Sequence, residues 1–226
     1  MGQAKAPRTA RRRPGRPKGD RETRERVLAA AVTELAAAGF YGTTVRSVAD
    51  SVGITTASLL HHFPTKEALY GEVLARIAES LEAWPHAAED GRDPEDRVLA
   101  LVDGFLAWTA ANELYSRVLM RELMDNVERA SRARRWYLAP VVRHGIDAVR
   151  KAQSEGGLVP FDAETFVFQF VGSVVYFFIA LPTAERIIEV RGADRAELVE
   201  RFRAQLLLNT RAIVRRETGT SGEASS

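Results

Sequence analysis

Basic and hydroxyl side chains gather at the front of this 226-residue chain. Residues 1–19 hold Lys5, Arg8, Arg11, Arg12, Arg13, Arg16 and Lys18, and no acidic residue. The whole chain is only +2, so removing those seven charges leaves residues 20–226 at about −5. A cation run set apart in this way suits a polyanion, because each phosphate it neutralises releases condensed counterion. Just behind it, Thr43, Thr44, Thr55, Thr56, Ser58, His61 and Lys66 crowd into residues 42–66. Their hydroxyl, imidazole and ammonium groups are of the kind that bond phosphate oxygens and base edges.

Two short helices joined by a tight turn would position these groups. Val45, Val48, Ala49 and Val52 fall at i, i+3, i+4 and i+7, the single apolar face of a short helix. Gly53 supplies the left-handed backbone that ends it. Thr55 is a good N-cap for the next helix, which runs to about Phe63 before Pro64 stops it. A helix-turn-helix of this kind lays its second helix in the DNA major groove.

Residues 23–77 contain Thr-Arg-Glu-Arg-Val-Leu-Ala-Ala-Ala, Ala-Gly-Phe, Thr-Thr-Val-Arg-Ser-Val-Ala, Val-Gly-Ile-Thr and His-His-Phe-Pro-Thr-Lys-Glu-Ala-Leu. In this order they resemble the DNA-binding domain of the TetR family, one-component bacterial transcriptional regulators. Beyond residue 80 only helical pattern and length agree. Two positions depart from the family pattern. Ala57-Ser58-Leu59-Leu60 stands where Gly, any residue, then Leu-Tyr is usual, and Thr56 replaces a common lysine. Leu60 cannot donate a hydrogen bond, but Ala57, Leu60 and the Thr55 and Thr56 methyls suit thymine methyls. Arg13-Pro14-Gly15-Arg16-Pro17-Lys18 is similar to the core of an AT-hook, whose prolines keep it extended and whose arginines suit narrow A·T minor grooves. The expected DNA-binding set is therefore Arg13, Arg16, Lys18, Thr43, Thr44, Thr55, Thr56, Ala57, Ser58, Leu60, His61 and Lys66.

The remainder reads as helices alone, so the predicted fold is all-α. It divides into a basic arm (1–19), unfolded as a free chain, a three-helix helix-turn-helix domain (20–66), a six-helix ligand-binding and dimerisation domain (67–217) and a polar tail (218–226). Asp20 caps the first helix, which ends near Gly39, with Val27, Leu28, Ala31 and Leu35 inward. Thr65 caps a fourth helix with Leu69, Val73, Ile77 and Leu81 on one face, ended by Pro85 and the turn before Asp93. Asp93-Pro94 opens the next as N-cap and N1. A shorter helix covers about Leu114–Asp125. Pro140 begins the one that ends at Gly156-Gly157, Asp162 caps an apolar helix that Pro182 stops, and the last spans about Asp194 to Glu217. The longest apolar run, Phe166–Leu181, is broken by Gln169 and Ser173 and is short for a membrane span.

Two faces of the C-terminal part carry functional expectations. The family resemblance pairs the last two helices with their two-fold mates, which assigns Phe166, Phe170, Val174, Phe177, Leu198, Phe202, Leu206 and Ile213 to a homodimer interface. Aromatic and thioether side chains crowd the middle helices, with a few polar groups among them. Trp84, Phe105, Trp108, Asn112, Tyr115, Met120, Met124, Trp136, Tyr137, His144, Gln169, Ser173 and Tyr176 are the expected lining of a pocket for a hydrophobic small molecule. Phe168 and Glu122 belong to the same neighbourhood.

No Gly-rich phosphate loop, paired-His metal motif or nucleophile elbow is present, so no enzyme, cofactor or metal site is expected. His61-His62 are helix neighbours and point in different directions. The absence of cysteine and the 46% hydrophobic content suit a cored protein of the reducing cytoplasm, with no membrane contact. The expected function is a ligand-responsive repressor that binds a palindromic operator as a homodimer. A ligand sensor or scaffold with weakened DNA reading is the alternative, kept open by Leu60 and Thr56.

Overall fold

The structure, a computed structural model, describes residues 18–86, 93–125, 139–187 and 194–215. These form ten helices, nine of seven residues or more and one of four, with no strand among the described residues. The first three make a compact head: α1 (Lys18–Gly42), α2 (Val45–Ser51) and α3 (Thr56–His62). The body follows as α4 (Lys66–Leu81), α5 (Ala83–His86), α6 (Pro94–Ala111), α7 (Glu113–Asp125), α8 (Ala139–Ser154), α9 (Ala163–Ile187) and α10 (Arg195–Val214).

Side-chain caps set most helix starts. Each leaves its first amides without an internal partner, and a hydroxyl or carboxylate one turn back accepts from them. Thr44 accepts from the Ser47 amide while Ser47 Oγ accepts from the Thr44 amide, a reciprocal capping box. Thr55, Thr65, Asp93 and Asp194 cap α3, α4, α6 and α10 in the same way. Asp162 accepts from the Thr165 amide at 2.7 Å at the start of α9, and its bonds to Thr165 hold the carboxyl below its ordinary pKa. Gly39 and Gly53 adopt φ of 69° and 70°, as expected of residues that turn the chain out of a helix.

Two boundaries differ from the sequence expectation. Asp20 does not cap α1, which begins at Lys18; instead its carboxylate lies 3.3 Å from His62 Nδ1 at the end of α3. Pro182 does not stop α9, which continues to Ile187. A proline removes one rung of the ladder and crowds the preceding turn without always ending the helix. Here the last turn is tethered from outside, because Glu185 pairs with Arg195 at 3.6 Å. The fourth helix also ends earlier than Pro85, at Leu81, and Pro85 lies inside α5.

One apolar core runs through head and body without a break at residue 66. Val27, Leu28, Ala31 and Leu35 of α1 are buried, as are Val48 and Ala49 of α2 and Leu59 of α3. Leu69, Val73, Ile77 and Leu81 form the buried face of α4, as their spacing predicts. In the body, α6 lies at the centre and packs on α8, α9 and α10. Helix α9 is long and apolar enough to cross a membrane by length and composition alone. Its inner face, however, is packed into this protein core through Phe166, Val167, Phe170, Val174, Val175 and Phe178.

Candidate nucleic-acid interface and effector cavity

Leu59 and Phe63 anchor α3 by burying one side of it, which fixes the side that faces outward. Thr55, Thr56, Ala57, Leu60 and His61 are exposed there, with Ser58 half-buried. The Thr55 hydroxyl oxygen accepts from the Ser58 amide at 3.1 Å, which leaves its proton and its methyl to offer outward. Leu60 is 38% exposed, so its apolar end is offered to solvent on this face. His62 turns the other way, into the head beside Asp20, so the two adjacent imidazoles have separate environments.

At the start of α2, Thr44 is exposed whereas Thr43 is 3% exposed. The Thr43 hydroxyl donates to the Gly39 carbonyl at 2.8 Å, so this residue anchors the turn and is not available to a phosphate. That corrects the expectation for Thr43. Lys66 is half-buried with Nζ 4.4 Å above the Phe40 ring, a cation–π contact that orients the ammonium. Two outward groups were missed from the sequence. Arg46 has an 84% exposed side chain, and Tyr41 is 67% exposed. The signal for Arg46 was available: a face made by Val45, Val48, Ala49 and Val52 necessarily turns residue 46 outward. Arg13 and Arg16 lie outside the described residues, as does the side chain of Lys18, the first residue of α1.

In the body, a partly open apolar space of about 80 Å³ lies between α4, α5, α6, α7, α8 and α9. Trp84, Phe105, Leu119, Val142, Val171 and Val175 are among its walls, and no polar surface lines it. The Trp84 indole N–H is already spent on the Leu101 carbonyl at 2.7 Å. Gly145 is required at this point, since a Cβ there would come within 2.8 Å of the Trp84 ring. Of the expected pocket set, Trp84 and Phe105 line this space, as does Phe168. Trp108 stacks behind Phe105, with ring centroids 6.0 Å apart, and Tyr115 follows at 6.5 Å. Asn112 ends α6 and gives its amide to the Trp108 carbonyl, and Met120 is half-buried on α7.

Other members of the expected pocket set lie elsewhere. Met124 is 70% exposed. Gln169, Ser173 and Tyr176 stand on the outer face of α9, so they do not line the pocket. His144 is edge-on to His86 at 4.7 Å, away from the cavity walls. Trp136 and Tyr137 lie outside the described residues. Glu122 receives the Tyr70 hydroxyl. Among the described residues no cluster of three or more His, Asp or Glu side chains is arranged to hold a metal.

Residues 27–73 match the sequence profile of the bacterial regulatory proteins of the tetR family. The likeness to the tetR family thus covers most of the head and the first half of α4. Over 61 residues the chain is 44% identical to the HTH-type transcriptional repressor KstR2 of Mycolicibacterium smegmatis, covering 27% of this chain and 30% of that protein. It is 40% identical over 58 residues to the HTH-type transcriptional regulator RutR of Escherichia coli K12, covering 26% of each. These sequence matches thus span under a third of either relative. The fold likeness is longer. A protein described as a transcriptional regulator of Streptomyces coelicolor superposes with a TM-score of 0.65 over 85% of this chain and 98% of that one, at 23% identity. The ketosteroid transcriptional regulator KstR2 of Mycobacterium tuberculosis does so at 0.62 over 86% and 96%, with 19% identity. Over about 85% of its length the chain therefore shares the fold of these two solved regulators.

The expected dimer interface is corrected on α9. Phe166, Phe170 and Val174 are buried in the protomer's own core, and Phe177 stacks on Phe202 of α10 at 3.9 Å. These side chains join α9 to its own neighbours. The outward stripe is Phe168, Gln169, Gly172, Ser173 and Tyr176, with Phe168 60% and Tyr176 68% exposed. On α10, Leu198 and Leu206 are half-buried, while Leu208 and Ile213 are exposed.

Proposed function

We propose that the chain is a transcriptional repressor that binds double-stranded DNA as a homodimer and releases it when a hydrophobic small molecule enters the cavity. The observation that carries this reading is the outward face of α3. It is a short helix capped by Thr55 and held rigidly by Leu59 and Phe63, with Thr56, Ala57 and Leu60 offered to solvent. A rigid helix presenting methyl and hydroxyl groups suits base edges in a major groove. Thr44, His61 and Lys66 flank it and suit phosphates, with Arg46 added by its exposure.

The test is selection of binding sequences from random duplex DNA by the full-length protein, followed by affinity measurement. A palindromic site with half-sites about one helical turn apart is the expected result. Recovery of no preferred sequence would remove the repressor reading and favour a sensor without DNA reading. On the selected site, Lys66→Ala weakens specific and random DNA alike, because a phosphate contact carries no sequence. Thr56→Ala changes the preference at one base-pair position by about 1–3 kcal/mol. Equal losses on both DNAs for both variants would contradict these roles.

The homodimer reading rests on the outward stripe of α9. Apolar side chains as exposed as Phe168 and Tyr176 on one helix form a patch suited to a second copy. Gly172 lies between them, and a Cβ built there meets nothing within 4 Å in the protomer. A mid-helix glycine costs about 1 kcal/mol relative to alanine, and the protomer's packing does not require it. Close approach of a second helix does.

The effector reading rests on the cavity. Its walls are wholly apolar, so the ligand buries hydrocarbon there. At about 80 Å³ it is smaller than the roughly 300 Å³ of the smallest ordinary ligand pockets, so binding must widen it. Val171→Phe, which fills the space from α9, is expected to blunt release by hydrophobic effectors while leaving operator affinity within about threefold. Thermal-shift and release assays over a panel of hydrophobic small molecules read the outcome. A panel that leaves both the wild type and this variant unmoved would make the body a dimerisation device alone.

A further inference from the structure

Two of the chain's four histidines face each other across a cleft between α5 and α8. His86 ends α5 and His144 lies on α8, with ring centroids 4.7 Å apart and ring planes at 83°. Glu82 lines the same cleft, a space of about 240 Å³ whose other walls are Pro140 and Val141. Glu82 has helical backbone angles (φ −57°, ψ −34°), so the chain passes from α4 into α5 along a helical path. Glu82 and His86 therefore stand at i and i+4, on one face. The other two histidines, adjacent on α3, have separate environments, with His62 against Asp20.

The backbone on both sides of the pair is anchored. Two residues before His86, the Trp84 indole donates to the Leu101 carbonyl of α6 at 2.7 Å and ties α5 down. The Trp84 ring lies against Gly145, the residue after His144, where a Cβ would come within 2.8 Å of it. Glycine thus lets α8 approach α5, and packed elements carry the two imidazoles to each other. Ligands held in this way need little further ordering to share an ion.

Their spacing suits one shared ion. Zinc–imidazole bonds of about 2.0–2.1 Å put each ring centroid about 3.2 Å from the metal, so two rings at about 90–110° around it stand roughly 4.5–5.2 Å apart. The observed 4.7 Å falls within that interval. Among the described residues no three-ligand cluster is already arranged, so Glu82 must join the pair by rotation of its exposed side chain. Imidazole nitrogens with one carboxylate select Zn²⁺ and its transition-metal neighbours over Mg²⁺ and Ca²⁺, which take shells of oxygen.

We propose that His86, His144 and Glu82 form a site for a divalent cation of the zinc class, which joins α5 to α8. The site uses no residue of the outward face of α3, and the inference does not rest on the regulator reading. The remaining coordination position is left to solvent, as in zinc sites with three protein ligands.

The test uses the full-length chain without a histidine tag, treated with chelator and titrated with Zn²⁺ by calorimetry. One ion per protomer in the micromolar range or tighter is expected, with millimolar Mg²⁺ and Ca²⁺ unable to compete. The chain has no cysteine, so tight binding of such an ion must use histidine. Pulsed electron paramagnetic resonance with Cu²⁺ as the probe should show two imidazole ligands. His86→Gln and His144→Gln should each lower Zn²⁺ affinity about tenfold or more and leave one imidazole in the Cu²⁺ signal. Glu82→Gln should lower affinity about tenfold and leave both imidazoles. Saturating Zn²⁺ should raise the melting temperature of the parent by about 5 °C and that of His86→Gln by much less. Circular dichroism establishes folding; His86 and Glu82 are exposed, so their variants decide the matter if His144→Gln does not fold. Absence of stoichiometric Zn²⁺ binding overturns the proposal, as does unchanged affinity in the folded histidine variants. Binding that persists in the double variant His86→Gln/His144→Gln would place the ion at His61 and His62 and overturn it too. Parent-like affinity in Glu82→Gln overturns the three-ligand set.

Discussion

Removing residues 1–19 is expected to flatten the salt dependence of DNA binding by about 2.7 in log–log slope. Each phosphate contact on B-DNA contributes roughly 0.9 to that slope, so the figure corresponds to three engaged cations of the arm's seven. A fourfold rise in salt then separates full-length from truncated protein by roughly forty-fold. The point of departure of the arm favours engagement. Asp20, two residues into α1, lies against His62 at the end of α3, so the arm leaves the head beside the reading helix. The loss should be larger on A·T-rich flanks, where a narrow minor groove concentrates negative potential. Arg16→Ala, between Gly15 and Pro17, should erode that flank preference more than Arg8→Ala. Affinity measured against salt on A·T and G·C flanks reads all of this. Superimposable curves for the two proteins would leave the helix-turn-helix as the whole of the binding surface.

Gly172→Arg is expected to convert the protein from a dimer of about twice 25.0 kDa to a monomer. The new side chain meets open space in the protomer, so the fold itself tolerates it, but it places a charge where a second α9 would approach. Tyr176→Asp does the same one turn further along. Loss of the second head removes the intramolecular half of binding, which multiplies affinity by about a hundred to ten thousand. Operator affinity should fall by that order while affinity for a single half-site stays nearly unchanged. Sedimentation mass and the two affinities check this. A dimeric mass for both variants would move the interface off the outer stripe of α9.

Local chemistry carried much of this protein in its sequence. Thr44, Thr55, Thr65, Asp93, Asp162 and Asp194 each cap the helix that follows, because an N-cap needs only its own side chain and an amide three residues on. Gly39 and Gly53 turn the chain for an equally local reason, the freedom of glycine at positive φ. The buried faces of α1, α2 and α4 follow from spacing, since the large apolar residues of each fall on one side and leave one choice of inside. Thr43 and Asp20 are exceptions among the head residues: the Thr43 hydroxyl bonds a carbonyl four residues back, and Asp20 lies against His62.

Tertiary structure alone decided the phase of α9. Its residues are apolar nearly all round, so rotating the helix changes little in the pattern, and spacing cannot say which stripe is inside. Packing against α6 and α8 put Phe166, Phe170 and Val174, expected at a dimer interface, in the core, and turned Tyr176, expected in the pocket, outward. A contact of α7 with the backbone of α1 was hidden for a related reason. Arg121 bonds to main-chain carbonyls, which have no signature in residue types, and those carbonyls stand about 85 positions away beside a turn set by Gly39. Caps, turns and one-sided helices are decided within a few residues. The inward face of an all-apolar helix, and the grip of one helix on another's backbone, are decided only when the chain has folded.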